Sequence, residues 1–411
     1  MLFNKKSIEM SPYPDGKKFV VTFLDDTDLS TVENTKPVYD YLHSVGLNAT
    51  KTIWVNRARR TSTYRKELET EIEDDSKEGL TIEDDDYLQF IIELRNKGFE
   101  IALHGVSSGN SYRDEIIEGL NKFKAIFGCD PNVNAFHKTN IDNLYAGKDK
   151  LNSFLLRKLE SLLHNSEYQG HLDGSPYFWG DIAQQRIHYT RLPFHTINQI
   201  NTLSVNPNMP FHDSRRGYVN YWFANSNGSD CSRFNKLFSK NNFKELVKHE
   251  GASIVYTHFA KGFAKKQGMG YIIDPQFELT VSRIVNEKGL WSPTISEFLD
   301  RQLALKKILI LNKNSKLTIE NYSNQTINDL TLKITPDVEI DIDKDNCYFT
   351  DNGSRVVIKE VPAKSKMNFK TNISNKILVS KIKDDSANYS ERSKIEWYNY
   401  FGMADILLRR K

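Results

Sequence analysis

The feature of this sequence that most constrains its fold is a repeated pattern, in which a short β-branched and aromatic run ends on an ionisable residue. Segments with helical periodicity separate these runs, so the pattern predicts alternating strands and helices. The clearest runs are residues 20–24 before Asp25 and Asp26, 100–103 before His104, 132–136 before His137, and 253–257 before His258. In a parallel α/β barrel all strands end at one face, where catalytic groups collect. Two carboxylates and three imidazoles at one rim indicate a metal or acid–base site, and therefore an enzyme.

The bulk composition is that of a globular protein with balanced charge. With 56 basic and 53 acidic residues the net charge is +3, and no basic stripe is present, so we expect no nucleic-acid partner. Three cysteines without a CxxC pair predict neither a disulfide framework nor a zinc–thiolate site. Residues 1–18 lack a signal-peptide core and no run approaches the length of a membrane span, so we expect a cytoplasmic protein, unless a leader has been removed.

The chain of 411 residues is long enough for a barrel and a second domain. We predict a deformed (β/α) barrel over residues 1–305, an α/β fold that carries the catalytic groups. Its predicted helices are 31–46, 87–97, 112–127, 244–249, 275–287 and 294–305, and strands at 18–24 and 49–55 accompany those that lead to the three histidines. Residues 170–227 are polar, aromatic and irregular, which predicts long loops over the barrel mouth.

The pattern of apolar and polar residues changes at residue 306. Short apolar runs at regular spacing, separated by Asn, Asp and Gly turns, predict a small all-β sandwich over residues 306–380. The predicted strands are 308–311, 316–319, 330–334, 338–342 and 356–358. The tail, residues 381–411, begins polar and ends in an aromatic helix-like piece at 395–408.

Several segments of residues 18–301 resemble the polysaccharide deacetylases, the nodulation-type chitooligosaccharide deacetylases of carbohydrate esterase family 4. Residues 22–27, Thr-Phe-Leu-Asp-Asp-Thr, are similar to that family's Thr-Phe-Asp-Asp-Gly. Residues 100–105, Glu-Ile-Ala-Leu-His-Gly, resemble its Glu-Ile-Gly-apolar-His block, and Thr257-His258 resembles its late histidine motif. Residues 289–291, Gly-Leu-Trp, resemble its closing segment.

The resemblance implies an enzyme that hydrolyses an N- or O-acetyl group on a carbohydrate, with a divalent metal, most simply Zn²⁺. A metal held by carboxylate and imidazole polarises the acetyl carbonyl and lowers the pKa of bound water. Carried over to this sequence, Asp25 would be the general base and His258 the general acid. Asp26 and His104 would be metal ligands.

Two departures from the family pattern leave questions open. The second histidine of the family's metal motif is replaced by Ser108, and serine is a poor zinc ligand. We favour His137 as the replacement, because adjacent parallel strand ends are neighbours. The alternatives are that the metal is absent or that a histidine of the middle loops (His171, His188, His195 or His212) takes the place. An extra Leu24 and a third carboxylate, Asp28, leave open which aspartate faces the site.

Polar and aromatic residues near these positions are predicted to bind the carbohydrate. They are Ser108, Asn110, Asn140, Asn143, Tyr145, Trp179, Arg216 and Trp222. Asn-rich loops bond sugar hydroxyls, and aromatic rings stack on sugar faces.

Two other functions fit the same barrel. One is a glycoside hydrolase that pairs Asp25 or Asp26 with another carboxylate, such as Asp173 or Asp213, across a groove. The other is a degenerate barrel that binds glycan without turnover, in keeping with the missing histidine at Ser108. The sequence specifies neither the sugar nor the oligomeric state.

Overall fold

The structure is a computed structural model, and it describes residues 7–61, 79–138, 140–163, 167–194, 197–384 and residue 396. Its contacts divide these residues into two compact units. One unit holds the described residues of 21–287 and 292–296 together with Glu396. The other holds residues 7–20, 288–291 and 297–384.

Strands and helices are numbered in chain order over the described residues. The strands are β1 (Ile8–Met10), β2 (Phe19–Asp25), β3 (Ala49–Ile53), β4 (Glu100–Leu103), β5 (Val133–Asn134), β6 (Tyr189–Arg191), β7 (Tyr221–Phe223), β8 (Ser226–Asn227), β9 (Ala252–Thr257), β10 (Ala264–Gln267), β11 (Gly270–Ile273), β12 (Leu290–Trp291), β13 (Ile308–Lys313), β14 (Lys316–Asn321), β15 (Ile327–Ile334), β16 (Ile340–Asp341), β17 (Cys347–Thr350), β18 (Arg355–Val361), β19 (Lys366–Thr371) and β20 (Ile377–Ser380). The α-helices are α1 (Val32–Ser44), α2 (Asp85–Asn96), α3 (Arg113–Phe127), α4 (Phe154–Leu163), α5 (Gly180–Arg186), α6 (Thr202–Val205), α7 (Cys231–Leu237), α8 (Lys240–Lys248), α9 (Pro275–Val285) and α10 (Ile295–Leu305). Short 3₁₀ helices are Gly147–Lys150, Ser214–Arg216 and Asp351–Gly353.

The first unit is built on a parallel sheet that forms a half-barrel. In the described residues its strands lie in the order β7-β6-β5-β4-β3-β2-β9-β8. Every residue of β2 is buried, as expected of a central parallel strand covered on both faces, and this burial explains its unbroken apolar run. The predicted α/β fold with a deformed (β/α) barrel is confirmed.

Local capping signals begin and end the helices around this sheet. Thr31 accepts a hydrogen bond from the Asn34 backbone N–H, and the Asn34 side chain bonds back to Thr31, which closes a capping box before α1. Helix α3 ends at Gly128, whose left-handed backbone (φ +75°) suits a residue without a Cβ atom. Both helices lie close to the predicted bounds.

The middle of the chain differs from its predicted loops. Strands β6, β7 and β8 lie within residues 170–227, where β6 and β7 extend the parallel sheet beyond β5 and β8 pairs with β9 at the opposite end. Each has only two or three residues, which is too short to produce the alternation by which a strand is recognised in a sequence.

The second unit is a sandwich of two antiparallel sheets that share one apolar core. Over the described residues the sheets have the orders β1-β15-β18-β17 and β16-β19-β14-β13-β20. Core residues from both sheets include Ile310, Ile319, Leu332 and Ile358. The turn between β13 and β14 has positive φ at Asn314 and Ser315, as a two-residue hairpin requires. The predicted β-sandwich is confirmed, and the N-terminal arm adds a strand, β1, that the sequence did not indicate.

Two remaining features are membrane-spanning helices and the aromatic piece near the C-terminus. No helix of the described residues is long and apolar enough to cross a membrane. The aromatic piece predicted at 395–408 lies outside the described residues except for Glu396, whose carboxylate accepts a hydrogen bond from the Asn152 backbone N–H at 2.8 Å.

Candidate functional site

The carboxyl ends of six neighbouring strands bring charged and aromatic side chains to one edge of the parallel sheet. In the order of the strands they are His258 after β9, Asp25 and Asp26 at β2, Trp54 after β3, His104 after β4, His137 beyond β5, and Arg191 at the end of β6. Because the strands are parallel, these ends lie on the same side of the sheet. The repeated pattern in the sequence therefore corresponds to a cluster in space, which we call the rim.

Asp28 lies at the centre of the rim. Its Oδ1 atom is 3.2 Å from Nε2 of His104, and its Oδ2 atom is 3.2 Å from Nε2 of His258. Lys261 donates to Oδ2 from Nζ at 3.3 Å. The Asp28 side chain is 23% exposed, whereas the two imidazoles are 1% and 3% exposed. Asp28 is thus the aspartate through which this cluster meets solvent.

The charge states of Asp28 and His104 follow from their surroundings. Burial alone would raise the pKa of Asp28, but hydrogen bonds from His104 and His258 outweigh it and hold that pKa well below its usual range. Burial lowers the pKa of His104, although Asp26 and Asp28 act in the opposite direction. At neutral pH the site therefore combines an ionised Asp28 with a neutral His104.

The other two imidazoles are oriented through their Nδ1 atoms. Nδ1 of His258 donates to the Ser229 carbonyl at 2.8 Å, and Nδ1 of His137 lies 3.0 Å from Oδ1 of Asn140. The Asn140 amide is itself fixed, because Nδ2 donates to the carbonyls of Ser107 and Gly109. Since a carbonyl oxygen only accepts, Nδ1 carries a proton in both rings. Nε2 of His258 faces Asp28 and donates to it when the ring carries a second proton, and it also lies 3.4 Å from the Tyr256 hydroxyl.

Asp26 is held by an arginine at the edge of the rim. Nη1 of Arg191 donates to both carboxylate oxygens, at 2.7 and 2.8 Å, and Nη2 donates to the Phe136 carbonyl at 3.1 Å. The Tyr256 ring packs against the guanidinium with 4.8 Å between the guanidinium carbon and the ring centre. Nε2 of His104 is 3.7 Å from Asp26 Oδ2. The two oxygens are therefore fixed in position beside the imidazole.

Asp25 faces the interior of the sheet and is fully buried. Its Oδ2 atom accepts from Tyr39 at 2.8 Å and from Lys51 Nζ at 2.9 Å, and its Oδ1 atom accepts from the Phe259 backbone N–H at 2.7 Å. Three donors thus occupy a carboxylate that the sequence motif predicts to be the general base. The same motif predicts Asp26 to be a metal ligand, and both roles stay predictions.

The loop after β5 carries His137 and is braced by buried amides and a carboxyl. Asn143 donates to the His137 carbonyl at 2.6 Å, and Asn110 accepts from the Ile141 N–H at 2.9 Å. Asp142 accepts from the Ser111 N–H at 3.0 Å, and burial raises the pKa of its carboxyl to about 7. These bonds hold the imidazole in place from behind.

All eight predicted substrate-binding side chains are buried. Their exposed fractions are 4% for Ser108, 7% for Asn110, 1% for Asn140, 2% for Asn143, 9% for Tyr145, 2% for Trp179, 5% for Arg216 and 0% for Trp222. Trp179 donates to the Asp142 carbonyl at 2.7 Å, and Arg216 pairs with Asp213 at 2.6 Å. These contacts give several of them a bracing role, and their predicted contact with substrate stays a prediction.

The other candidate histidines and aspartates bond elsewhere in the same unit. Nδ1 of His171 accepts from the Tyr145 N–H at 3.1 Å, and His212 donates to the Asn220 carbonyl at 3.0 Å. His188 contacts the rings of Tyr189 and Tyr221 edge-on. His195 lies outside the described residues. Asp213 pairs with Arg216, and Asp173 accepts from Tyr218 at 3.2 Å.

Several residues of the rim were not singled out from the sequence. They are Lys51, Trp54, Arg191, Tyr256 and Lys261. Arg191 lies at the end of β6, a strand that the sequence did not indicate. Trp54 follows β3 and lies within the strand predicted at 49–55, but its indole is not ionisable, so the rule that located the histidines does not select it. Lys51 stands within a strand, where a lysine normally marks an exposed edge, so its sequence position gave no signal.

The donor chemistry of the rim suits a zinc ion, but a complete ligand set is not in place. Ligand atoms around tetrahedral zinc are about 3.3 Å apart, so the 3.2 Å between Asp28 and His104 suits a shared ion as well as a hydrogen bond. Nδ1 of His104 is buried without a hydrogen-bond partner among the described residues. In those residues no group of three or more His, Cys, Asp or Glu side chains is arranged so that it could hold a metal ion.

Comparisons with known proteins give likenesses in structure alone. No family model matches the chain, and no curated protein matches it. A carbohydrate deacetylase, Agd3, has a TM-score of 0.43 and 11% identity over 89% of this chain and 66% of its own. A protein from Mycobacterium smegmatis, provisionally named a polysaccharide deacetylase, has a TM-score of 0.40 and 11% identity over 72% of this chain and 94% of its own.

A third structure, the allantoinase PuuE, has a TM-score of 0.38 and 8% identity over 71% of this chain and 92% of its own. Because all three TM-scores are below 0.5, the chemistry of this chain has to be judged from its own side chains. The names of the first two agree with the family indicated by the sequence motifs. The chain is similar to polysaccharide deacetylases, and it is remote from each of these structures in sequence.

Proposed function

We propose that this chain is a metal-dependent hydrolase that removes acetyl groups from a carbohydrate. The observation that carries the proposal is the position of Asp28, an ionised and partly exposed carboxylate between the Nε2 atoms of His104 and His258 at the carboxyl edge of a parallel sheet. Paired carboxylates and imidazoles at such an edge are the groups that hydrolysis of an acyl bond requires.

Asp28, His104 and His137 are the side chains that would hold the metal, with Zn²⁺ as the ion that suits them best. They would have to draw closer together than in the described structure, where they do not form a ligand group. Once bound, such an ion polarises the acetyl carbonyl and makes water a stronger nucleophile at neutral pH. His137 is prepared for this role because Nδ1 bonds to Asn140, and ligand histidines are normally oriented by such a partner. His104 is kept neutral by burial, which leaves a nitrogen lone pair on its ring.

The general base in this proposal is Asp26, one acidic residue further along than the motif predicts. Its carboxylate oxygens are aligned by Arg191 and lie beside the imidazole of His104. Asp25 is less suited to the role, since its oxygens are occupied by Lys51, Tyr39 and the Phe259 N–H inside the fold. A base must reach the proton that it removes.

His258 is the general acid. Its Nδ1–H is committed to the Ser229 carbonyl, so a second proton on Nε2 makes the ring an imidazolium that faces the carboxylate of Asp28. Release of that proton to the leaving nitrogen or oxygen of the sugar returns the ring to its neutral form. The fixed Nδ1 contact keeps the same nitrogen aimed at the site in both states.

The test measures zinc binding by calorimetry and acetate release from N-acetylated chitooligosaccharides for the wild type and for Asp28→Asn. The variant removes one ligand charge while it keeps the shape of the side chain. We expect one zinc per chain in the wild type, weaker binding in the variant, and a loss of turnover of about 1000-fold. The control is Asp181→Asn, which breaks a surface pair with Arg113 and should change neither quantity.

The outcomes separate the rival functions. Zinc binding without acetate release from any acetylated sugar would contradict the deacetylase and favour a glycan-binding protein. If Asp28→Asn released acetate as fast as the wild type, the assignment of Asp28 would be wrong. Cleavage of the oligosaccharide chain instead of its acetyl groups would identify a glycoside hydrolase.

A further inference from the structure

The structure contains a charged network beneath the rim that the proposed chemistry does not use. Lys51 and Asp25 form an ion pair in which both side chains are 0% exposed. Lys51 Nζ also donates to Ser30 at 2.9 Å, and Tyr39 donates to the same oxygen of Asp25 as Lys51 does. The remaining oxygen of Asp25 accepts from the Phe259 N–H. Each charge is thus met by an opposite charge and by further hydrogen bonds.

The network joins the two strand ends that carry the acid and the base. Asp25 is the last residue of β2 and precedes Asp26, and Phe259 directly follows His258. Two hydrogen bonds cross between these strand ends, from the Phe259 N–H to Asp25 Oδ1 at 2.7 Å and from the Asp26 N–H to the Thr257 carbonyl at 2.9 Å. Together they flank His258 on both sides along the chain.

We infer that the buried Asp25–Lys51 pair is a positioning element, which sets His258 relative to Asp26 through the hydrogen bond from the Phe259 N–H. Lys51 anchors the Asp25 carboxylate from β3, and Tyr39 anchors it from α1. Asp25 itself exchanges no proton with the substrate. The inference rests on the proposed function only for its effect on turnover.

Energetics argue that this pair is present for more than stability. Two charges taken out of water cost much of what their attraction returns, and well-packed apolar replacements for buried ion pairs are often equally stable. A role in stability alone would therefore not require the two charges. A positioning role needs an acceptor at one point, Asp25 Oδ1, and an apolar pair cannot supply it.

The test compares two double variants of the full-length chain. Asp25→Asn/Lys51→Met removes both charges but keeps a carbonyl oxygen for the Phe259 N–H, and Tyr39 can then donate to or accept from the amide. Asp25→Leu/Lys51→Met removes both charges and the acceptor. The matched control, Glu160→Gln/Lys150→Met, removes another largely buried pair with the same 2.9 Å distance.

The readouts are the tautomer of His258 and the rate of acetate release. Long-range ¹H–¹⁵N spectra of labelled protein report the tautomer, with the His258 signals assigned by their loss in His258→Gln. In spectra recorded at a pH at which the His258 ring is neutral, we expect the Nδ1–H tautomer in the wild type, the control and the Asn/Met variant. We expect a mixture of tautomers in the Leu/Met variant, with acetate release at least about 100-fold below that of the Asn/Met variant.

Two outcomes would overturn the inference. The first is a Leu/Met variant whose His258 spectrum matches the wild type, since the acceptor would then not position the ring. The second is an Asn/Met variant with a native spectrum that is as inactive as the Leu/Met variant, since Asp25 would then take part in the chemistry. If Leu/Met fails to fold, Asp25→Ala/Lys51→Met removes the same acceptor without adding volume. If the wild type releases no acetate, the proposed function fails, and the tautomers alone decide the inference.

Discussion

The rim and the sandwich each contain a lysine–aspartate pair, and the two pairs differ in burial more than in length. Lys51 and Asp25 at the rim are 2.9 Å apart and fully buried. Lys18 and Asp351 in the sandwich unit are 2.7 Å apart and about one-third exposed, at 32% and 33%. A surface pair is screened by water and contributes little, whereas a buried charge without its partner is costly. The shorter bond is therefore the one that matters less to the fold.

The strands of the two regions also differ in how completely their residues are buried. In β13 of the sandwich, buried residues such as Ile308 and Ile310 alternate with partly exposed ones. In β2 of the parallel sheet every residue is buried, including Asp25 at its end. An antiparallel sheet with one solvent-exposed face can hold its polar side chains in water. A parallel sheet covered on both faces buries the side chains of both faces. Charges in the second setting need partners inside the fold.

The largest expected difference comes from removing one lysine in each region. Lys51→Met leaves the Asp25 carboxylate charged and buried without its cation, and we expect the free energy of unfolding to fall by about 3–5 kcal/mol. Lys18→Met removes a screened surface pair, and we expect a loss below about 1 kcal/mol. Urea unfolding followed by circular dichroism measures both. Equal losses in the two variants would contradict the contrast between the regions.

The sequence predicted the sandwich in part: five of its strands were expected, β13, β14, β15, β16 and β18, whereas β1, β17, β19 and β20 were not. Short apolar runs at 308–311 and 316–319, separated by an Asn-containing turn, predicted β13 and β14. The structure has positive φ at Asn314 and Ser315 in that turn, as a two-residue hairpin requires. In the parallel sheet the sequence predicted β2, β3, β4, β5 and β9, each from an apolar or β-branched run. The two- and three-residue strands β6, β7 and β8 carry no period, and their place in the sheet depends on distant neighbours.

In the site, too, the sequence predicted the features that depend on local residues and did not predict those that depend on distant neighbours. The positions of His104 and His258 at strand ends follow from the pattern, since each comes directly after its run. Which of three neighbouring aspartates faces the histidines could not be predicted, because it depends on the partners that each carboxylate meets. Lys51 and Arg191 decide this, since they engage Asp25 and Asp26 and leave Asp28 for the imidazoles. Both partners come from other strands.

A second comparison uses the pH dependence of stability at two carboxyl groups, Asp142 and Asp351, whose pKa values are shifted in opposite directions. Burial raises the pKa of Asp142 to about 7, so its contribution to stability is present below the unfolded value near 3.8 and is lost as the pH rises through 7. Asp142→Asn keeps an acceptor for the Ser111 N–H and has no charge to bury. We expect the variant to gain stability over the wild type between about pH 4 and pH 8, by at most about 4 kcal/mol.

In the sandwich unit the hydrogen bond from Lys18 lowers the pKa of Asp351. Its contribution is therefore present above the unfolded pKa and lost as the pH falls through the folded one. Asp351→Asn should lose a little stability near neutral pH and nothing in strong acid. Thermal unfolding of both variants and the wild type from about pH 2 to about pH 8 measures the two slopes, since the change at Asp351 falls below its usual pKa and that at Asp142 above it. If the contributions of Asp142 and Asp351 to the free energy of unfolding changed with pH in the same direction, burial would not be the cause of the pKa shift of Asp142.

The smallest contrast removes one hydroxyl from each region. Tyr39→Phe deletes a buried donor to Asp25, and a hydrogen bond to a charged group contributes about 1.5–3 kcal/mol. Burial raises the pKa of Tyr39 well above its usual value, so this donor stays protonated and the loss should not change between pH 5 and pH 9. Tyr322→Phe in the sandwich removes an exposed donor to Glu320, and we expect no measurable change. Urea unfolding at both pH values measures each loss.

Tyr39→Phe also separates the two roles of the network beneath the rim. It removes a bond to Asp25 Oδ2 but leaves the bond from the Phe259 N–H to Oδ1 in place. If that second bond alone sets His258, the variant should lose stability while the tautomer of His258 and the rate of acetate release stay close to those of the wild type. A parallel loss of turnover would mean that the whole network, and not one acceptor, holds the acid in position. Stability and positioning would then depend on the same bonds in this region, whereas in the sandwich neither depends on its surface pairs.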